Sequence, residues 1–127
     1  GSLKPTRDFC YISDTVSAFV AALKSKRSIG QTINIGTGYE ISIEDLAKLI
    51  LKITGKKEIL KGDPKRVRPD SSEVDRLCCS NKKAKKFLNW EPKYKGKKGL
   101  SAGIMKTIKW FSEIDNLKKY KSDKFIF

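Results

Sequence analysis

The stretch from Ser42 to Gly55 constrains the fold more than any other. Ser42 is followed three residues later by Asp45, a capping-box-like helix start with aspartate in place of the usual glutamate. Ile43, Leu46, Ala47, Leu49, Ile50 and Ile53 then recur as one apolar face, and Gly55 is a natural stop. Upstream, Gln31 to Ile35 alternates polar and β-branched residues like a strand and ends at Gly36-Thr37-Gly38. Strand, turn and amphipathic helix in that order predict an α/β chain.

The flanks extend this pattern. Arg7 to Ile12 reads as extended, and a helix is expected from about Asp14, capped by Ser13 or Asp14. Val16, Phe19, Val20 and Leu23 supply its apolar face, and Gly30 ends the pattern. Past Gly55, Glu58-Ile59-Leu60 fits a short strand and 62–72 an exposed loop. Leu77-Cys78-Cys79 fits a short buried strand. Ser80 is placed to cap a brief helix carrying Ala84, Phe87 and Leu88, which stops at Trp90-Glu91-Pro92 because proline disfavours helical geometry in the residue before it. Leu100, Ile104, Ile108 and Phe111 mark a last helix reaching about Leu117. The chain of 127 residues fits one domain, with no internal repeat and no linker.

Composition narrows the chemistry. There is no histidine, which excludes Ser-His and Cys-His nucleophilic machinery. Cys10, Cys78 and Cys79 do not have zinc-knuckle spacing, and their odd number without a secretory signal points to a reduced, cytoplasmic setting. No apolar run approaches the ~20 residues that span a bilayer, so no membrane partner is expected. The sequence starts at Gly1 and its one methionine is Met105, so a processed or excised chain is expected.

The net charge of +14 invites a nucleic-acid reading. Its lysines cluster in KKAKK (82–86), KYKGKK (93–98) and KKYKSDK (118–124), which read as solvated helix faces and a tail. Single-strand binders pair such charge with stacking aromatics, whereas the aromatics here, Tyr94 and Tyr120 apart, fall at positions that read as core. A basic nucleic-acid-binding module is the alternative of another class, not the leading one.

Two further patterns are set aside. Gly36-Thr37-Gly38 sits where a dinucleotide turn would, but position 41 is Ile where the third glycine belongs, so the turn is read as a backbone requirement only. Tyr94/Lys98 and Tyr120/Lys124 spell Tyr-x-x-x-Lys, but the first lies in a loop and the second in a tail. Neither receives a catalytic role, and no metal ligands are assigned.

An ordered series is more specific. Lys4 to Val16, containing Arg7-Asp8-Phe9, resembles the R-D-aromatic-x-x-V-x-D signature of extended short-chain dehydrogenases acting on nucleotide sugars. Asn34 to Gly38 resembles their N-I-G-x-G segment, and Ile41 to Leu46 their S-I-x-E/D-L segment. Arg68 to Leu77, Asn81 to Ala84, and Leu88 to Pro92 resemble R-P-x-E-V-D, D-x-x-K-A and L-G/N-W-x-P in turn. The resemblance runs from about residue 3 to 117, and Ser72 to Leu77 look most like the 4,6-dehydratases.

That resemblance implies a partial extended short-chain dehydrogenase fold, a small sheet with about four helices. Residues 1–38 would be the last helix and strand of a Rossmann-type domain, 39–117 a nucleotide-sugar-binding lobe, and 118–127 a charged tail. It implies that Arg7 and Arg68 contact the nucleotide diphosphate, a role suited to the planar donor fork of guanidinium. Glu73 would bind a ribose or base hydroxyl and Arg66 would be a further phosphate ligand. The four residues between Arg68 and Glu73 exceed the R-P-x-E spacing, which disfavours a GDP substrate.

The family's cofactor turn and catalytic set lie in an amino-terminal part with no counterpart here. The resemblance therefore implies an inactive carboxyl-terminal fragment that binds no cofactor itself. The intact enzyme would use NAD or NADP on a UDP-N-acetylhexosamine or GDP-mannose, for surface-polysaccharide or nonulosonic acid synthesis. Hydride would leave the sugar C4, water would be lost across C5–C6, and hydride would return to C6. The same part of a UDP-sugar 4-epimerase is the nearest alternative. Implied partners are a nucleotide-diphosphate sugar, the absent Rossmann domain and further copies of the chain in a homo-oligomer.

Overall fold

A three-stranded sheet organises the molecule, whose computed structural model describes residues 2–58 and 74–118. β1 (Thr6–Asp8) is central, with β2 (Glu40–Ser42) antiparallel on one side and β3 (Arg76–Leu77) parallel on the other. Thr6 lies opposite Ser42 and Arg76, Arg7 opposite Ile41 and Leu77, and Asp8 opposite Glu40. Among the described residues four α-helices accompany the sheet: α1 (Ile12–Lys24), α2 (Ile43–Thr54), α3 (Gly96–Ser112) and α4 (Ile114–Lys118). A wide helical turn, Ala84–Leu88, separates β3 from α3. This is the mixed α/β arrangement expected from the sequence.

α2 forms where its caps predict. The Ser42 hydroxyl accepts the Asp45 N–H at 3.0 Å and donates to the Asp45 carboxylate at 2.9 Å. Aspartate, one methylene shorter than glutamate, closes on the cap hydroxyl instead of reaching back to the Ser42 amide. At the other end Gly55 is left-handed and the Lys56 N–H reaches the Leu51 carbonyl at 3.1 Å.

α1 departs from expectation in two ways. It begins at Ile12, and neither Ser13 nor Asp14 caps it. The Tyr11 carbonyl takes the N–H of Asp14 at 2.9 Å, and the buried Asp14 carboxylate accepts the Tyr94 N–H at 2.8 Å. The buried side of α1 is also the small-residue side. Ala18 packs with Ala84, Leu88 and Trp90, and Ala21 and Ala22 lie beside them. Alanines let the helix approach the 84–88 turn, so Val16, Phe19, Val20 and Leu23, read as the core face, point outward. Phe19 and Trp110 likewise leave the set of aromatics expected in the core.

Residues 31–35 keep the strand period without forming a strand. Ile33 and Ile35 pack on the Ala18–Trp90 cluster while Thr32 and Asn34 are exposed. β2 and β3 already occupy both sides of β1, so no ladder is available there. β3 is shorter than expected and exposed, with Leu77 52% accessible. The Glu58–Leu60 strand expectation falls largely, and the 62–72 loop wholly, outside the described residues.

Ala84 and Leu88 bury as predicted, with Asn81 rather than Ser80 supplying the first carbonyl of the turn, to Lys85 N–H at 2.9 Å. Asn89 ends it in the left-handed region (φ 51), which aims Trp90 inward, and the indole N–H donates to Ser17 Oγ at 2.8 Å. The single last helix becomes two. Asn116 Nδ2 donates at 3.0 Å to the Trp110 carbonyl, the acceptor that a continuous helix would give to Ile114.

A left-handed backbone at Asn89 is tolerated by asparagine and glycine but not by a β-branched residue. Asn89→Gly should leave stability near that of the parent chain. Asn89→Val should lower it by about 1–2 kcal/mol, read from urea denaturation of the 127-residue chain.

Candidate functional site

The Asp8 carboxylate gathers the site. It accepts the N–H of Thr37 at 2.9 Å, of Gly38 at 2.8 Å and of Cys79 at 3.2 Å, as well as the Thr37 hydroxyl. One side chain on β1 therefore fixes both the 36–38 turn and the chain leaving β3. Gly36 is required by proximity, since a Cβ there would lie 2.4 Å from Cys79 Cβ and 2.9 Å from Asp8 Oδ2. Asn81 completes the arrangement: its Oδ1 accepts the Gly36 N–H at 3.1 Å and its Nδ2 donates to the Gly36 carbonyl at 2.7 Å. This is the exchange that a neighbouring strand would otherwise provide.

Arg7 lies next to Asp8, half-buried, with Nη1 donating to the Thr6 carbonyl at 2.8 Å. It lines a cavity of about 790 Å³ whose other walls include Asp8, Ile33, Ile35, Leu77 and Cys78. Arg66, Arg68 and Glu73 lie outside the described residues. The chain re-enters description at Val74 and immediately joins β1, where the Thr6 N–H donates to the Asp75 carbonyl at 2.8 Å. The segment directly following Glu73 thus runs beside the strand that carries Arg7.

A strap crosses the sheet over β1. Arg76 Nε donates to both Glu40 carboxylate oxygens, at 2.7 and 2.8 Å, and Thr6 Oγ1 donates to Glu40 Oε2 at 2.7 Å. Hydrogen bonding from Arg76 and then Thr6 holds the Glu40 carboxyl below its ordinary range. Neither this strap nor the Asp8 web was named from the sequence as a site feature. The signal for Asp8 was its place in the R-D-aromatic segment, and its hydrogen bonds go to three backbone amides and the Thr37 hydroxyl.

Covalent and cofactor chemistry find little purchase. Burial pushes the Cys10 and Cys79 thiols up, away from the thiolate, so neither is an activated nucleophile. The 36–38 turn does not fit a dinucleotide, because the Thr37 and Gly38 amides that would cradle a pyrophosphate already bind a carboxylate. Tyr94 is held structurally: its N–H goes to Asp14, its ring lies 4.7 Å from Tyr11, and Lys106, not Lys98, lies over that ring at 5.3 Å from its centroid. Among the described residues, no cluster of His, Cys, Asp and Glu could hold a metal ion, and no helix is long and apolar enough to cross a membrane.

Known proteins share this arrangement. The sequence model of the GDP-mannose 4,6 dehydratase family matches residues 1–102. The chain belongs to that family. It is thereby a member of the NAD-dependent epimerase/dehydratase group of extended short-chain dehydrogenases. UDP-glucose 4-epimerase of Mycolicibacterium smegmatis is 32% identical over 111 residues, covering 87% of this chain and 33% of that protein. An epimerase from Methanothermobacter thermautotrophicus superposes with a TM-score of 0.78 at 30% identity, over 98% of this chain and 35% of its own. UDP-glucuronic acid 4-epimerase of Bacillus cereus, solved with UDP-glucuronic acid and NAD, gives 0.65 at 32% identity, over 94% of this chain and 34% of its own. Other relatives include a dTDP-glucose 4,6-dehydratase and a UDP-glucuronic acid decarboxylase. The chain spans about a quarter to a third of the length of these proteins.

Asn81→Asp removes the donor to the Gly36 carbonyl and should destabilise the chain by about 1 kcal/mol or more, whereas a surface Asn would be indifferent. The Glu40 strap gives a pH test. Because the folded carboxyl titrates below its unfolded value, its contribution is complete above the ordinary glutamate pKa and disappears as pH falls through the lowered one. Glu40→Gln should abolish that part of the acid-side decline in Tm.

Proposed function

We propose that this chain is the nucleotide-sugar-binding part of an NAD(P)-dependent nucleotide-sugar 4,6-dehydratase, with Arg7 holding the diphosphate. One observation carries the reading: β1 delivers Arg7 to the wall of a large open cavity, beside the segment that follows Arg66, Arg68 and Glu73. A second guanidinium brought beside Arg7 from the segment before Val74 would suit adjacent phosphates, which accept paired N–H donors. We assign Arg68 and Arg66 to the same diphosphate and Glu73 to a ribose or base hydroxyl, as the family resemblance implies. Residues 1–38 would contribute the end of the cofactor-binding domain, 39–117 the substrate lobe and 118–127 a tail.

The occupied 36–38 turn supports placing the NAD(P) cradle outside this chain. The three free thiols suit a cytoplasmic setting. A 4-epimerase is the second reading, favoured by the identity to UDP-glucose 4-epimerase and by the epimerase superpositions. Dehydratase and epimerase would share this lobe and differ in residues elsewhere.

UDP titrated into the 127-residue chain should shift the NMR resonances of Arg7, Leu77, Cys78 and Cys79, weakly and with strong salt dependence. Arg7→Ala should weaken that binding about tenfold or more, the equivalent of losing one charge-assisted hydrogen bond of ~1.5–3 kcal/mol. Shifts confined to the lysine-rich 82–86 and 93–98 segments would refute the clamp. NAD reduction by the isolated chain would refute its assignment as a substrate lobe alone.

A further inference from the structure

Two segments far apart in sequence build one basic face. Lys24, Lys26 and Arg27 stand at the end of α1 and on the short helical turn that follows it. Lys82, Lys83, Lys85 and Lys86 stand before and on the 84–88 turn. All seven are exposed. The Ser25 hydroxyl donates to the Phe87 carbonyl at 2.6 Å, and Lys83 Nζ donates to the Thr32 carbonyl at 3.2 Å, fastening the two segments together. Arg27 and Lys86 share one ring, lying 5.9 and 5.3 Å from the centroid of Phe87. Because Ala84 and Leu88 are rooted in the core, this face is a fixed part of the fold.

The acids that offset lysines elsewhere are missing here. No aspartate or glutamate occurs from Thr15 to Tyr39 or from Arg76 to Trp90, so all 14 lie outside the two segments. Among the described residues only Lys85 of the seven has an ion-pair partner, Glu91 at 2.7 Å. Like charges held this close repel one another, and an anionic partner removes that repulsion. Beside them the Ile29-Gly30 turn projects from the surface. Ile29 is 78% exposed, the most of any large apolar side chain outside α1 among the described residues, and a Cβ at Gly30 would meet nothing within 4 Å.

Two polyanions suit a basic face, and the composition of this one separates them. Single-stranded nucleic acid is held by stacking on open aromatic rings as well as by charge. Phe87, the aromatic of this face, is half-buried and taken up by two cations. Duplex phosphates would leave Ile29 in water. An anionic bilayer engages both features: its headgroups attract lysines on long stems, and its acyl boundary accepts a projecting apolar side chain. That no described helix can cross a membrane bears on spanning one, not on lying against one.

We propose that the face built by residues 24–29 and 82–86 attaches this protein to the surface of an anionic phospholipid bilayer, with Ile29 entering the headgroup boundary. The assignment is independent of nucleotide-sugar binding and uses neither Arg7 nor the Asp8 web.

Flotation of the complete chain with lipid vesicles tests this. Mixed phosphatidylcholine–phosphatidylserine vesicles should carry the chain at physiological salt, and pure phosphatidylcholine vesicles should not. Each basic residue near an anionic leaflet raises partitioning about fivefold, so Lys82→Gln/Lys86→Gln should weaken binding roughly 25-fold. Lys24→Gln/Arg27→Gln should do the same from the other segment. Lys97→Gln/Lys109→Gln removes equal charge from exposed positions on α3 and should change binding by no more than about twofold. Ile29→Ser should weaken it about tenfold and leave its salt dependence as it was. The proposal is overturned if the serine-containing vesicles do not bind the chain, if the α3 pair matters as much as Lys82 and Lys86, or if Ile29→Ser binds as tightly as the parent. An oligonucleotide bound more tightly than the vesicles, with Ile29→Ser indifferent, would assign the face to nucleic acid instead.

Discussion

The Asp8 carboxylate is the interaction on which the other parts of the lobe hang. β1 is only three residues long and β3 two, too short for their ladders to hold three remote segments in register. Asp8 supplies what the ladders cannot, by drawing the amides of Thr37, Gly38 and Cys79 onto one side chain. Bonds from N–H groups to a carboxylate are roughly twice as strong as neutral ones. The 36–38 turn, the exit of β3 and the strand bearing Arg7 are consequently set relative to one another by a single group. Gly36 must be small for the same reason, because the convergence leaves no room beside Cys79.

A second layer of polar contacts links this centre to the helices. Buried Asp14 ties α1 to the Tyr94 amide, the Ser17 hydroxyl joins the Asp14 carbonyl to the Trp90 indole, and Ser25 donates to the Phe87 carbonyl at 2.6 Å. The apolar core those contacts surround is small: Ala18, Ala84, Leu88 and Trp90. In such a lobe, directional bonds to backbone take over much of the positioning that side-chain packing performs in a larger one. They keep the Arg7 strand and the 74–77 segment aligned.

The sequence was most legible where information is local. Ser42, Asp45 and Gly55 bracket α2 because a cap needs only a few neighbouring residues to act; the stop before Trp90 was read from Pro92, whereas the left-handed Asn89 makes it. It was least legible where a residue's partner is remote. Nothing within α1 tells that Asp14 will face a backbone amide eighty positions away, nor that alanines rather than Val16, Phe19 and Leu23 will meet the core. Helical periodicity finds an apolar face but not what that face touches. Of the candidate site, the extended Arg7-Asp8 pair was legible from the sequence. The bidentate use of Asn81 was not, because its partner Gly36 lies 45 positions away and nothing local to the 81–84 segment marks the exchange.

That exchange bears on how the lobe holds together. The N–H groups of Ile33, Asn34 and Ile35 find no hydrogen-bond partner among the described residues, yet at Gly36 both backbone groups are satisfied by Asn81. The side chain caps the extended segment at the point where it meets the Asp8 web, so the open stretch is anchored at one end and packed along one face by Ile33 and Ile35. A segment fixed in that way has already lost most of the backbone entropy that strand formation costs, roughly 1–2 kcal/mol per residue. The same polar centre that sets Arg7 in place thereby also fixes the adjoining end of the extended segment, through Asp8 on the 37–38 amides and Asn81 on Gly36.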